Sequence, residues 1–455
     1  MDDDLRDVRG AVYLPQKDWN AYQLWAEYRN DVVERDLGYA SSIGLNSLRV
    51  LASYEYWRED GPSFFAHVEH FLTACEQRGV RPLIVLFEAP PKDPPTEENL
   101  RATDPKRAFG VHSPSRPDVL QPRDWKGYDR SPIHFARRWA QEYADDDRLL
   151  ATEIMNEPGD VQPRRDFVTD ALRTVRQAAP DAALTMGTRD VRYARFYDRE
   201  ALDGLRGLDA YQFHMNLPKR PAEAYEYVTE QRALADEIAA ETRAERSEGS
   251  DSRVPLWCTE WQRTLEEPPS RFAPNLASLA PTIRKARAEG MIDGDHFWSL
   301  MLRPAYLREP REKGRVNGLF HADGAAYSRA DAEVLAGRPL AVADRHALPA
   351  SWRAHRFPYP GPIADGPIRS SEGVPSGDAE LSGLRAGGDV GTADAADVDD
   401  TDIDDADIDD ADIDDAAETD DRAASIPDGP TFVRDVHESL LDRLRDMLGL
   451  DSRRK

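Results

Sequence analysis

The feature that most constrains this chain is an alternation. Short apolar runs and longer amphipathic stretches follow one another through residue 340. Eight runs read as strands: 11–14, 47–51, 82–87, 149–155, 183–186, 208–213, 254–259 and 295–299. Most are near-continuous in apolar residues, as strands covered on both faces must be. Strand and helix patterns taking turns are the signature of a parallel sheet. Eight such units predict a (β/α)8 barrel of the TIM type. The rival is an open doubly wound sheet. Its nucleotide-binding form loses support because neither GxGxxG nor GxxxxGK[ST] follows the first run.

The stretches between the runs carry helix signals. Asn30 or Asp31 is expected to cap a helix reaching Ile43, stopped by Gly44. Pro62 sits where a first helical residue belongs, with Phe64, Phe65, Val68, Phe71 and Leu72 at helical spacing and Gly79 ending the run. Ser131-Pro132 opens another helix, and residues 164–178, 222–246 and 275–289 continue the pattern. The connection 88–130 is too long to be only a link. It is proline-rich, contains Phe109, Trp125 and Tyr128, and follows the third strand. A substrate-covering loop on the catalytic face is the expectation.

Past residue 345 the alternation fails. A Pro/Gly/Ser-rich extension over 346–388 is expected to be pinned to the barrel at its start by Trp352, Phe357 and Tyr359. Residues 389–421 repeat DIDDA and hold seventeen acidic residues with no basic one. A five-residue period suits neither helix nor strand, and like charges repel, so disorder is expected. A repetitive Ca²⁺-binding solenoid is disfavoured, because the turn-forming glycines are missing. Within 422–455, Phe432, Val433, Val436, Leu440, Leu441, Leu444, Met447 and Leu448 give an amphipathic helix, expected to dock on the barrel, another subunit or a partner.

Charge then has a narrow meaning. The net charge is −26, of which −17 belongs to the acidic repeat. The chain contains 59 basic residues, of which only eight are lysine. Acid excess with little lysine points to a saline cytoplasm, and a GC-rich genome is the alternative source of the arginine bias. An acidic chain of this kind argues against nucleic-acid binding. No apolar run is long enough to span a membrane, and the start, MDDDLRDVRG, has no signal-peptide core, so a cytoplasmic location is expected. Cys75 and Cys258 make no disulfide framework and too few ligands for zinc. Cys258 is expected in the core, on the strand face opposite Glu260.

The chemistry is concentrated at two strand ends. The fourth run ends in IMNEPGD, with Asn156 and Glu157, and the seventh in PLWCTEWQR, with Glu260. In a barrel both carboxylates enter the mouth formed by the strand C-termini. Two carboxyl groups about 5 Å apart suit a retaining glycosidase, and their mutual repulsion is expected to keep the acid protonated. Asn-Glu-Pro after the fourth strand, Glu after the seventh and Trp after the eighth resemble the clan of retaining (β/α)8 glycoside hydrolases that includes the family 5 cellulases and mannanases. The resemblance covers residues 10–340. It implies Glu157 as acid/base, Glu260 as nucleophile and Asn156 as partner of the sugar 2-hydroxyl. It also implies that Arg49 braces the nucleophile, that His214 is the histidine usual at the sixth strand end, and that Trp298 floors the sugar subsite.

Two departures stand out. The third strand offers Glu88 in VLFEAP where many members have histidine, and Asn216 stands where tyrosine is common. They suggest an outlying branch, and the acidic, lysine-poor composition suggests a haloarchaeal type. Glu88 is a candidate acceptor for a sugar hydroxyl, and Trp261 a candidate aromatic contact. Trp19, Trp25, Tyr54, Tyr56 and Trp57 could line subsites, although aromatics also anchor loops. His67 and His70 read as residues of a surface helix. The expected function is retaining hydrolysis of β-glycosidic bonds, without a cofactor, on a soluble oligosaccharide or glycoconjugate. The alternatives are a non-catalytic carbohydrate-binding barrel and a transglycosidase using the same residues.

Overall fold

A computed structural model describes residues 5–355, apart from 89–93, 109–110, 124–127, 199–204, 217, 219, 247–252, 264–274 and 305–315. The acidic repeat, the terminal helix and most of the extension, including Phe357 and Tyr359, lie outside the described residues, as do Phe109 and Trp125.

Eight strands form one parallel sheet. They are β1 (Val8–Val12), β2 (Ser47–Leu51), β3 (Leu83–Glu88), β4 (Ala151–Asn156), β5 (Leu184–Gly187), β6 (Tyr211–Met215), β7 (Leu256–Trp261) and β8 (Gly294–Phe297). Their order is β5-β4-β3-β2-β1-β8-β7-β6. The ends meet through a parallel bridge between Thr185 and Ala210, beside an Asp209 N–H to Leu184 carbonyl bond of 2.8 Å, which closes the barrel. Helices cover the outside. The helix Pro132–Tyr143 shows why they form: Ser131 caps it by accepting from His134 N–H, and Ile133, Phe135, Ala136, Trp139, Ala140 and Tyr143 are buried at helical spacing. Each large side chain buried this way stabilises by roughly 1.5–3 kcal/mol.

Several boundaries differ from the sequence reading for local reasons. The second-strand helix starts at Tyr54, capped by Ser53, and breaks at Asp60 (φ −143°, ψ 78°). Proline disfavours helical backbone before it, so the chain pauses and restarts with the Asp60 side chain accepting from Ser63 N–H at 3.1 Å. The helix Asn30–Ser42 begins without a side-chain cap, with Arg29 rather than Asn30 or Asp31 at the cap position. Pro281 splits the stretch after Asn275 into a short turn, Leu276–Ser278, and a helix, Ala280–Ala288.

The long connection after β3 has short helices of its own, among them Glu97–Leu100 and Arg116–Leu120. Asn20 Nδ2 donates to the carbonyls of Leu100 and Ala108, and Gln23 Nε2 to those of Leu100 and Ala102, so part of it is tied to the segment after β1. The proposed sugar-stacking aromatics are corrected here. Trp19, Trp25, Tyr54, Tyr56 and Trp57 are all buried. Trp25 Nε1 donates to the Leu51 carbonyl at 2.7 Å, and Tyr54 Oη to that of Arg130 at 2.6 Å, so these rings anchor loops. Trp352 is buried beside Trp19, with ring centroids 6.1 Å apart. The N-terminal end of the barrel is shut by Leu5, Val8, Leu83, Leu150, Ala151, Ala210 and Trp257. Among the described residues no helix is long and apolar enough to cross a membrane.

Candidate active site

Both strands that carry the candidate carboxylates depart from regular pairing just before them. Between β4 and β5, Glu153 pairs with Thr185 but Asn156 with Gly187, three residues against two. Between β7 and β8, Cys258 pairs with Asp295 but Trp261 with Phe297, again three against two. A bulge of this kind re-aims the side chains that follow it. Strict alternation would put Cys258 and Glu260 on one face. The bulge separates them instead, leaving Cys258 fully buried in the core and Glu260 at the mouth. Glu157 also has φ +46°, in the left-handed region that non-glycine residues seldom occupy, while its N–H donates to the Gly187 carbonyl at 2.7 Å. Such backbone concentrates at functional sites.

The structure brings Glu157, Glu260, His214, Arg49 and Asn156 together. One oxygen each of Glu157 and Glu260 and a ring nitrogen of His214 lie within 4.8 Å of one another. His214 Nδ1 is 2.7 Å from Glu157 Oε1 and 3.7 Å from Glu260 Oε2. The buried Nε2 of His214 has no partner among the described residues. Nδ1 is thus the ring nitrogen placed to donate to Glu157. Beneath them Arg49 donates to Glu153 through Nε at 2.8 Å and Nη2 at 2.5 Å, and to Asn156 Oδ1 at 2.7 Å. Its Nη1 is 3.5 Å from Glu260 Oε2. A Cβ on Gly187 would collide with the Glu153 carboxylate, so glycine makes room for this pair.

Electrostatics corrects one expectation. Burial raises the pKa of the Glu157 carboxyl, but the His214 hydrogen bond and the charges of His214, Arg189 and Arg49 outweigh it. The group is held below the usual carboxylate range, so repulsion between carboxylates does not keep it protonated at rest. Glu88 is pushed up, chiefly by burial and further by Glu260 and Glu157, against the lowering influence of His112 and Arg49. It joins the mouth at the end of β3, 3.9 Å from His112 Nε2, with its N–H donating to the Ser113 carbonyl at 2.7 Å. Arg49 is raised: burial lowers it, and Glu153, Glu260 and Glu157 more than compensate.

Trp298 follows β8 half-buried, with its N–H donating to the Trp261 carbonyl at 2.8 Å. Trp261 is corrected: only 1% exposed, it bonds Asp295 Oδ2 at 2.9 Å and meets Phe297, on the helix-facing side of β7. A ring buried there cannot meet a sugar. The histidines at 67 and 70 are half-buried against Tyr28, away from the mouth.

Two contributors, Glu153 and Arg189, escaped the sequence reading, and a third, Asn216, was noted there only as a departure without a role. Glu153 was signalled only by being the one charged residue in an apolar strand. Arg189, after β5, places Nε 3.9 Å from Glu157 Oε1 with its side chain 60% exposed. Asn216 Nδ2 donates to Glu260 Oε1 at 3.2 Å. A cation could draw on Glu157, His214 and Glu260, but Arg49 and Arg189 already supply positive charge beside the two carboxylates.

The chain is similar in fold to solved glycosidases. An exo-β-1,4-mannosidase from Opitutaceae bacterium strain TAV5 has 17% identity and a TM-score of 0.47, over 72% of this chain, which spans only 58% of that one. An endo-1,4-β-D-mannanase from Thermotoga petrophila has 13% identity and a TM-score of 0.44, over 73% of this chain and 98% of its own. A family 5 mannosidase from Rhizomucor miehei has 12% identity and a TM-score of 0.46, over 72% and 91%. No curated protein matches the chain. The model of the family described as cellulase (glycosyl hydrolase family 5) matches residues 19–270, more than half of the chain and the stretch that holds both carboxylates. The chain therefore belongs to glycosyl hydrolase family 5.

Proposed function

We propose that this member of family 5 hydrolyses β-glycosidic bonds with retention, through a glycosyl-enzyme on Glu260. The observation that carries the reading is the spacing of the carboxylates, with one oxygen of each inside a 4.8 Å cluster. Retaining enzymes hold the two groups about 5–5.5 Å apart, whereas inverting enzymes leave room for a water. Glu260 attacks the anomeric carbon while Glu157 protonates the departing oxygen. Glu157 then takes a proton from water, which attacks the same carbon and frees Glu260.

For the first step Glu157 must be protonated. A bound glycan excludes water from the mouth, strengthening the burial effect that already opposes His214. Asn156 has its Oδ1 occupied by Arg49, which leaves the amide nitrogen to donate to a sugar 2-hydroxyl. Trp298 supplies a flat face for the sugar, and Glu88 an acceptor for one of its hydroxyls. The substrate class is a β-linked oligosaccharide or glycoconjugate.

The test is Glu260→Ala on aryl β-glucosides, β-mannosides and β-cellobiosides. Turnover is expected to fall on the order of 10⁴-fold or more, as when a nucleophile is deleted, with azide restoring part of it as the α-glycosyl azide. Hydrolysis within a few-fold of wild type ends the proposal.

A further inference from the structure

Among the described residues three polar side chains approach the Glu260 carboxylate, and two of them are committed elsewhere. Arg49 places its short hydrogen bonds on Glu153 and Asn156, at 2.5–2.8 Å, and stands 3.5 Å from Glu260. His214 places its short bond on Glu157 and stands 3.7 Å from Glu260. The remaining partner is Asn216, just beyond β6, whose Nδ2 donates to Glu260 Oε1 at 3.2 Å. Among the described residues this is the shortest side-chain hydrogen bond to Glu260.

The amide is itself held. Met215 and Trp261 are paired across β6 and β7, so the residues that follow them, Asn216 and Gln262, leave the barrel side by side. Gln262 is 7% exposed and donates through Nε2 to Asn216 Oδ1 at 2.8 Å. A carboxamide has one accepting end and one donating end. With Gln262 on the oxygen, the nitrogen must face Glu260. The reversed amide would set an oxygen against the carboxylate.

We propose that Asn216, oriented by Gln262, is the positioning residue that aims Glu260 at the anomeric carbon. It acts through Glu260 and supplies a neutral donor that does not titrate. The inference rests on the reading of Glu260 as nucleophile. The aim therefore persists across the working pH range, and it survives conversion of the carboxylate to an ester, whose carbonyl oxygen still accepts.

The experiment compares wild type, Asn216→Ala, Asn216→Asp, Gln262→Ala and the double alanine variant on 2,4-dinitrophenyl β-glucoside, β-mannoside and β-cellobioside. Asn216→Ala is expected to lower kcat by about 10- to 100-fold, below the loss of a full oxyanion donor because the bond is long, with KM changed less than about three-fold. Gln262→Ala gives a smaller loss, and the double variant is no worse than Asn216→Ala, because the two act in series. Asn216→Asp, close in shape, puts a second negative charge beside Glu260 and moves the acidic limb of kcat/KM upward. Asn216 is exposed, so melting temperatures stay close to wild type, and Asn216→Asp carries the comparison if the alanine variant fails to fold. Unchanged kcat in Asn216→Ala with an unmoved limb in Asn216→Asp overturns the inference, as does a double variant whose losses multiply. If wild type and Glu260→Ala are equally active, the nucleophile reading fails first and takes the inference with it.

Discussion

The two ends of the barrel are built by opposite rules. At the N-terminal end, Leu5, Val8, Leu83, Leu150, Ala151, Ala210 and Trp257 form an apolar plug on regularly paired strands. At the C-terminal end, β4 and β7 each carry a bulge, Glu157 has a positive φ, and two carboxylates, an imidazole and a guanidinium share a few ångströms. The difference teaches how stability and function divide along one strand. The plug gains from burial alone. The mouth holds like charges that would separate if their supports were removed, and Arg49, on its Glu153 anchor, is the chief support.

Substitutions at the two ends can break that contrast. The largest effect is expected at Glu153→Ala. It leaves the Arg49 guanidinium buried beside an empty space, and removing one partner of a buried ion pair costs about 3–5 kcal/mol. Chemical denaturation measures the loss, and turnover of the folded fraction should fall with it because Asn156 and Glu260 lose their frame. Leu83→Ala in the plug costs about 2–5 kcal/mol. There kcat and KM of the folded fraction stay at wild-type values. If Leu83→Ala lowers kcat as much as Glu153→Ala does, the division between the ends is wrong.

The smallest effect is electrostatic. Arg189 is one of the charges that hold Glu157 down, so Arg189→Ala lets its pKa rise. Glu157 acts as an acid only while protonated, so the alkaline limb of the kcat profile moves to higher pH. Arg189 is mostly exposed, and salt screens the contact, so the shift is modest and shrinks as ionic strength increases. A shift toward lower pH contradicts the assignment of Glu157 as the acid.

The plug end was easy to read from sequence and the mouth end was not. Apolar runs and their spacing carry the barrel, so β2 falls on residues 47–51 as expected and the other strands lie within a few residues of expectation. The two carboxylates were legible because Asn-Glu-Pro and the Glu in PLWCTEWQR stand at strand ends. What surrounds them was not. Cys258 does lie opposite Glu260, as expected, but the bulge that separates them has no residue signature here, and strict alternation alone would put the two on one face. The aromatics after β1 and β2 read equally well as sugar platforms and as loop anchors, and only burial separates the two. The low resting state of Glu157 depends on His214 and Arg189, which approach from other strands. Sequence distance hides such neighbours, 57 residues apart in the case of His214.

The central claim is that the two carboxylates work by double displacement. Proton NMR of an aryl β-glycoside during its first minutes of hydrolysis tests it most directly, by resolving the anomer released before mutarotation. The account predicts that the β-hemiacetal forms first. Release of the α-anomer first would show single displacement and contradict it.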